Sequence, residues 1–217
     1  MKRRISFTLS MAFVAVMIMA LSASVYGRTR LGKRGKRVKA QTSNVITVNF
    51  DKFPATINEW KDMQSKLGGE PQGAVALQVM AFELYRTNRA DGEQALRLNN
   101  TSTNYNSTVE RLREIMGKDK YYARPYIAWA MLKGATPENG YSARPPYTIE
   151  MKRDPNKQPQ VSQLLKGTVI YMLINSKGWD TNWPGVEVVK PEGSDYYVVS
   201  NCPAMYTQCK ETTKFNK

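Results

Sequence analysis

The chain has 217 residues, a formal net charge of +14, two cysteines and no histidine. The missing histidine removes Ser-His-Asp and Cys-His catalysis, and with them His-ligated zinc, haem and iron sites. The charge does not imply specific nucleic-acid binding: ten basic residues and no acid precede residue 40, whereas beyond it 22 basic residues mix with all 18 acidic ones and form no cluster that would track phosphates.

Lys2, Arg3 and Arg4 precede an uncharged run from Ile5 to Tyr26. This order reads as the n-region and h-region of a signal peptide. Val25-Tyr26-Gly27 supplies small or aliphatic residues for a cleavage site, with Ser22-Ala23-Ser24 as an earlier alternative. Residues 1–27 are therefore expected to be removed, and the chain exported to the periplasm, the cell surface or the medium. The competing expectation is an uncleaved inner-membrane anchor. The apolar run is close to the ~20 residues that span a bilayer, and the basic segment after it favours retention of the body in the cytosol. Ser6, Thr8, Ser10, Ser22 and Ser24 weaken the run as an anchor. Residues 28–43 read as a flexible tether, whose cations from Arg28 to Lys39 suit an anionic membrane or envelope polymer.

Residues 44–217 are expected to form one α+β domain, helical over about 51–134 and β over about 145–210. Asn44–Phe50 alternates as a short strand does. Thr56-Ile57-Asn58-Glu59 fits a capping box. Ile57, Trp60, Met63 and Leu67 continue at helical spacing, and Gly68-Gly69 stops the helix. Pro71 opens a second helix to about Arg86 with almost no polar face, the pattern of a central core helix. A short helix over Asp91–Leu98 should turn Leu96 and Leu98 inward. Asn99–Ser107 is polar and reads as a capping loop or polar-ligand site, before a surface helix carrying Val109, Leu112, Ile115 and Met116. Its Asn-x-Ser/Thr patterns at Asn99, Asn100 and Asn106 are glycan acceptors only in a eukaryotic host. A last helix is expected over Tyr126–Leu132, ended by Gly134.

Beyond Pro137, Tyr147–Lys152, Thr168–Asn175, Val186–Lys190 and Tyr196–Ser200 read as strands, with a tight connection at Pro191–Ser194. An antiparallel sheet or small barrel packed against the helical half is the expected arrangement. The loop Ser176–Gly185 offers Trp179, Asp180 and Trp183 as candidate ligand-binding residues, since aromatic rings beside polar groups stack on sugars or peptides. The opposing reading, which the usual burial of tryptophan favours, is that both rings plug the end of the sheet. Cys202 and Cys209 are candidates for a disulfide in an oxidising compartment. No catalytic residue, metal site or cofactor motif is read. Carboxylate-pair chemistry stays open, but nothing brings Asp180 and Glu187 together.

The strings GAVALQVMA (Gly73–Ala81), RLNNTSTNYNS (Arg97–Ser107), YARPYI (Tyr122–Ile127), LKGATPENGY (Leu132–Tyr141), Gly178–Lys190 and YYVVSNCPAMYTQC (Tyr196–Cys209) resemble one bacterial domain family of unknown function, common in gut anaerobes. The resemblance covers roughly residues 50–210. It implies one integrated domain and no established activity, so no catalytic residue carries over. The β half is similar in pattern to SH3-like barrels, a likeness of fold alone. The expected function is non-enzymatic: an envelope-associated module that binds a peptide or glycan. A carboxylate-dependent hydrolase or transferase acting on envelope polymers, and a membrane-tethered cytosolic protein, are the alternatives. The oligomeric state is not legible.

Overall fold

The computed structural model describes residues 45–117 and 123–216. The expected signal peptide and basic tether lie outside the described residues. Among those described, no helix is long and apolar enough to cross a membrane.

The first strand, β1 (Ile46–Phe50), leads into helix α1 (Ile57–Leu67). The expected cap forms in a variant geometry: Thr56 Oγ1 accepts from the Glu59 amide at 3.3 Å, and the Glu59 carboxylate accepts from the Ala55 amide at 2.8 Å, one residue before the N-cap N–H that a capping box uses. Helix α2 (Pro71–Thr87) follows, and 14 of its 17 residues are buried. It packs on α1, α3 and α5 on one side and on strands β1, β4, β5 and β6 on the other. Trp60 is wholly buried against it, with its indole N–H donated to the Leu77 carbonyl at 3.1 Å. Burying such a side chain with its one donor satisfied contributes roughly 3 kcal/mol.

Helix α3 (Arg89–Asn99) lies close against α2 because Gly92 has no side chain; a Cβ there would sit 2.1 Å from Tyr85 Cα. Ala95 and Leu96 face inward, but Leu98 points out, 42% exposed, contrary to the sequence expectation. The helical phase that buries Ala95, Leu96 and Asn99 carries Leu98 to the solvent side.

Helix α4 (Ser102–Ile115) corrects the expectation of a capping loop. Only Asn100 and Thr101 separate α3 from α4, and Asn99, Asn100, Asn104 and Thr108 are buried. Their amides join a network centred on Gln78 of α2. Asn99 and Asn100 each donate to Gln78 Oε1 at 2.9 Å, Asn104 donates to Asn100 Oδ1 at 2.5 Å, and Asn104 lies 3.4 Å from Cys202 Sγ. Buried amides must find partners, and here each side-chain NH2 group finds one on another element, while the Asn99 Oδ1 is left without one among the described residues. Burial also removes Asn99 and Asn100 as glycan acceptors.

The expected helix over Tyr126–Leu132 is a single turn, α5 (Ile127–Ala130). Strands β2 (Tyr147–Arg153), β3 (Gln160–Ser162), β4 (Gly167–Ile174), β5 (Gly185–Val189) and β6 (Val198–Asn201) then complete one antiparallel sheet. The order is β1-β2-β4-β5-β6, with β3 paired to β4 beyond the end of β2. The sheet is open, not an SH3-like barrel: no strand pair joins β6 to β1 among the described residues. Instead the α3–α4 junction closes the far edge of β6, through a bridge between Asn100 and Val199 and the Thr101 amide donated to the Val199 carbonyl at 2.9 Å. The molecule is therefore α+β, with the helices on one face of an antiparallel sheet.

The period-two pattern divides the strands, although Val169 and Val189, partners on the outer face, are also buried. Val48, Phe50, Ile149, Met151, Ile170, Met172, Ile174, Val186, Val188 and Val199 turn toward α2 and form the core. Tyr171, Leu173 and Glu187 turn the other way and remain half-buried.

Gly92→Ala should destabilise the fold by about 1–3 kcal/mol, because a methyl group cannot fit against the α2 backbone. Gly69→Ala, where nothing lies within 4 Å of the added carbon, should leave the urea midpoint almost unchanged. Paired urea unfolding curves would measure the difference.

Candidate functional site

The outer face of the sheet holds a groove of about 210 Å³, lined by Asp154, Lys157, Tyr171, Leu173, Glu187 and Asn201, with Pro203 and Ala204 at one end. It is built by alternation. Tyr171 and Glu187 are cross-strand partners on β4 and β5, and Leu173 is the partner of Gly185, whose missing side chain leaves the groove open there. Asp154 follows β2, and Asn201 ends β6.

Two cations lie over two rings on this face. The Lys157 ammonium is 4.5 Å from the centre of the Tyr171 ring, and the Lys152 ammonium is 4.0 Å from that of Trp183. Lys152 is the cross-strand partner of Leu173, so the Trp183–Lys152 pair continues the groove toward β2. The Tyr171 hydroxyl donates to Gln160 Oε1 at 3.2 Å. Asp154 is partly engaged, since its Oδ1 accepts from the Asn156 amide at 2.9 Å. The site thus offers ring faces, ammonium donors, carboxylate acceptors and one amide, a set that can stack on and hydrogen-bond to a hydroxyl-rich or peptide ligand.

The loop between β4 and β5 does not bring its three candidates together. Trp179 is 4% exposed and donates its indole N–H to the Thr207 carbonyl at 2.6 Å, plugging the end of the sheet against the C-terminal segment. Asp180 is 94% exposed and faces Lys210 at 3.2 Å. Trp183 alone reaches the outer face. A turn with Asn182 at φ 55° separates the two rings, and the Asn182 amide donates to the Trp179 carbonyl at 3.1 Å. Asp154, Lys157, Tyr171 and Asn201 carried no local signal in the sequence, because they come from three separate segments.

Asp154 and Glu187, not Asp180 and Glu187, share a cleft. The carboxylates whose proton affinity is displaced all go down. The Ala55 amide lowers Glu59, its own backbone N–H lowers Glu138, and the Lys133 ammonium, at 2.7 Å, lowers Glu150. Each is thereby held ionised. Among the described residues no group of three or more Cys, Asp or Glu side chains is placed to hold a metal ion.

The expected disulfide is not formed. Cys202 and Cys209 are free, buried thiols on either side of the short 3-10 turn Pro203–Met205. Cys202 faces the amides of the helical half and Thr108, 3.6 Å from its hydroxyl, whereas Cys209 lies 3.8 Å from the Tyr141 hydroxyl. Burial pushes the Cys202 thiol up to about 11 and the Cys209 thiol up to about 12, from an ordinary 9.0. Burial also raises Tyr141 well above the usual phenol range. Neither thiol is an activated nucleophile.

A second, larger cleft of about 560 Å³ lies between β1 and α1, lined by Phe50, Pro54 and Met63 among charged residues.

The family model described as Domain of unknown function (DUF6935) matches residues 52–213, in agreement with the resemblance noted over residues 50–210. No curated protein and no solved structure matches the chain.

The raised thiols link stability to pH. Their neutral forms are favoured in the fold, so this contribution is complete below pH 9 and is lost as pH rises from 9 through about 11 and 12. The unfolding free energy should fall across that window, and less steeply in Cys209→Ala. Iodoacetamide at pH 8 should leave the native chain unlabelled and label both cysteines after unfolding without reductant; a disulfide-bonded chain would stay unlabelled in both.

Proposed function

The chain belongs to this family of unknown function, and we propose that it is an exported, non-enzymatic, cell-envelope-associated module that binds a glycan or peptide in the groove on the outer face of its sheet. The observation that carries this reading is the pairing of Tyr171 with Lys157 in the groove, with a second ring–ammonium pair, Trp183 with Lys152, beside it where Lys152 partners Leu173. Sugars stack on ring faces and give their hydroxyl protons to carboxylates such as Asp154 and Glu187. Peptides use the same rings and charges. Half-buried rings on a sheet face are held rigidly, so little side-chain freedom is lost on binding. The order of basic n-region, apolar run and small residues at the N-terminus supports export, and Arg28–Lys39 supplies a cationic stretch suited to an anionic envelope surface.

A carboxylate-dependent hydrolase or transferase is the second reading, favoured by one observation: Asp154 and Glu187 line the same groove. Glycosidic chemistry needs one of the pair protonated and the other ionised. A chain of this kind would release reducing ends from envelope polysaccharide and would lose that activity in both Asp154→Asn and Glu187→Gln. A binding module would release none.

Tyr171→Ala and Trp183→Ala should each weaken binding to insoluble peptidoglycan or envelope polysaccharide about tenfold or more, roughly the loss of one stacked ring. Each thermal midpoint should stay within a few degrees of the parent. Co-sedimentation and thermal melts measure the two. Unchanged binding would remove the groove from the function, and a collapse of the melt would assign the rings to the core. Export is tested separately, by cell fractionation and N-terminal sequencing. A start near Ser24 or Arg28 outside the cytosol supports it, and an intact N-terminus on a cytosolic-facing protein overturns it.

A further inference from the structure

The three free edges that an open sheet can present are treated differently here. The far edge of β6 is occupied by Asn100 and Thr101. Strand β3 has only three residues, and Pro155, Lys157, Pro159 and Lys166 flank it, the usual means of blunting an edge. Strand β1 has none of these protections. It runs five residues, Ile-Thr-Val-Asn-Phe, without a charge or a proline, and among the described residues it pairs with β2 alone. No hydrogen bond leaves its other side among the described residues.

A helix stands across from that open edge. Glu59, Asp62, Met63 and Lys66 fall at i, i+3, i+4 and i+7 of α1 and so share one face, and all four line the 560 Å³ cleft together with Asn49 and Phe50 of β1. The floor is apolar: Phe50 and Pro54 are buried and Met63 is half-buried. The rim is acidic in balance. Lys52 is held by Glu59 at 2.8 Å, which leaves Asp51 and Asp62, neither in an ion pair among the described residues, against Lys66.

An unpaired strand edge facing a helix across an apolar cleft has the geometry for adding one more strand. We propose that the β1–α1 cleft binds an extended polypeptide segment by strand addition to β1, with an apolar side chain set on Phe50 and Met63 and a basic side chain two residues away beside Asp51 and Asp62. Main-chain hydrogen bonds to β1 supply sequence-independent affinity. The spacing of two follows from the alternation of side chains along a strand, which puts both on the cleft side. This site is separate from the groove on the outer sheet face and takes a different kind of ligand.

The test uses a fluorescein-labelled threonine heptapeptide with leucine at its third position and arginine at its fifth, and the full-length chain. Two controls accompany it: one replaces the arginine with glutamate, the other replaces alternate threonines with proline to remove main-chain donors. Fluorescence anisotropy should show binding of the parent peptide, at least tenfold weaker binding of the proline peptide, and clearly weaker binding of the glutamate peptide. The double variant Asp51→Lys with Asp62→Lys should invert the preference between arginine and glutamate peptides, an outcome that misfolding cannot imitate. Hydrogen exchange should show the amides of residues 46–50 that point away from β2 protected only when the parent peptide is present. Equal binding of all three peptides, or none, overturns the proposal. So does protection of those outward-pointing amides in the free chain. If sedimentation then finds a dimer, the edge is occupied by a second copy; if it finds a monomer, the chain covers its own edge.

Discussion

A helix that is apolar on every side has to be enclosed on every side. Helix α2 imposes that constraint, and the fold answers it with α1, α3 and α5 on one side and the inner face of the sheet on the other. Two polar groups come along: Glu83, which pairs with Arg86 on the same helix, and Gln78, fully buried within α2. Its amide cannot be left unsatisfied without a penalty of several kcal/mol. The polar residues at the α3–α4 junction meet that need, and in doing so they are carried to the edge of β6, where they also complete the sheet. Closure of the sheet edge and satisfaction of the buried glutamine are thus a single arrangement.

Enclosing α2 assigns the two faces of the sheet opposite tasks. The inner face is filled by branched and sulfur-containing side chains and has no room for a ligand. Among the described residues no helix packs on the outer face, so Tyr171, Leu173 and Trp183 remain within reach of solvent while the strands beneath them are fixed by the core. Rigid support and accessibility coincide at that groove. The edges follow the same logic: the edge beside α2's polar network is sealed, and the edge beside α1 is left open over an apolar floor.

Local signals in the sequence translated well. The Thr56–Glu59 box, the Pro71 start, the apolar surround of α2 and the β character of the four main C-terminal strands were all legible because each depends on a few neighbouring residues. Long-range signals did not translate. Asn99–Ser107 reads as a capping loop because short polar side chains prefer such positions; only Gln78 and Cys202, remote in the chain, make most of it helical and partly buried. The spacing of Cys202 and Cys209 suggests a bridge, but the intervening 3-10 turn sends one thiol toward the helices and the other toward Tyr141. Trp179 and Trp183 sit in one loop and end in unlike environments, because the turn at Asn182 reverses the chain between them. Strand β3 gives no clear signal, since it holds a single apolar residue, Val161, directly after the Pro155–Pro159 turn. The groove residues had no common motif to betray them.

The link between Gln78 and Cys202 joins positions 124 residues apart, with the amide nitrogen 3.7 Å from the sulfur. The same sulfur is the terminus of the asparagine network. Until Gln78 and Cys202 meet, α2 has neither its full complement of strands nor the last partner for its buried polar side chain. The entropy of closing so long a loop is lost before the contact rewards it, so the helical half gains a completed interior only when the two ends of the fold come together.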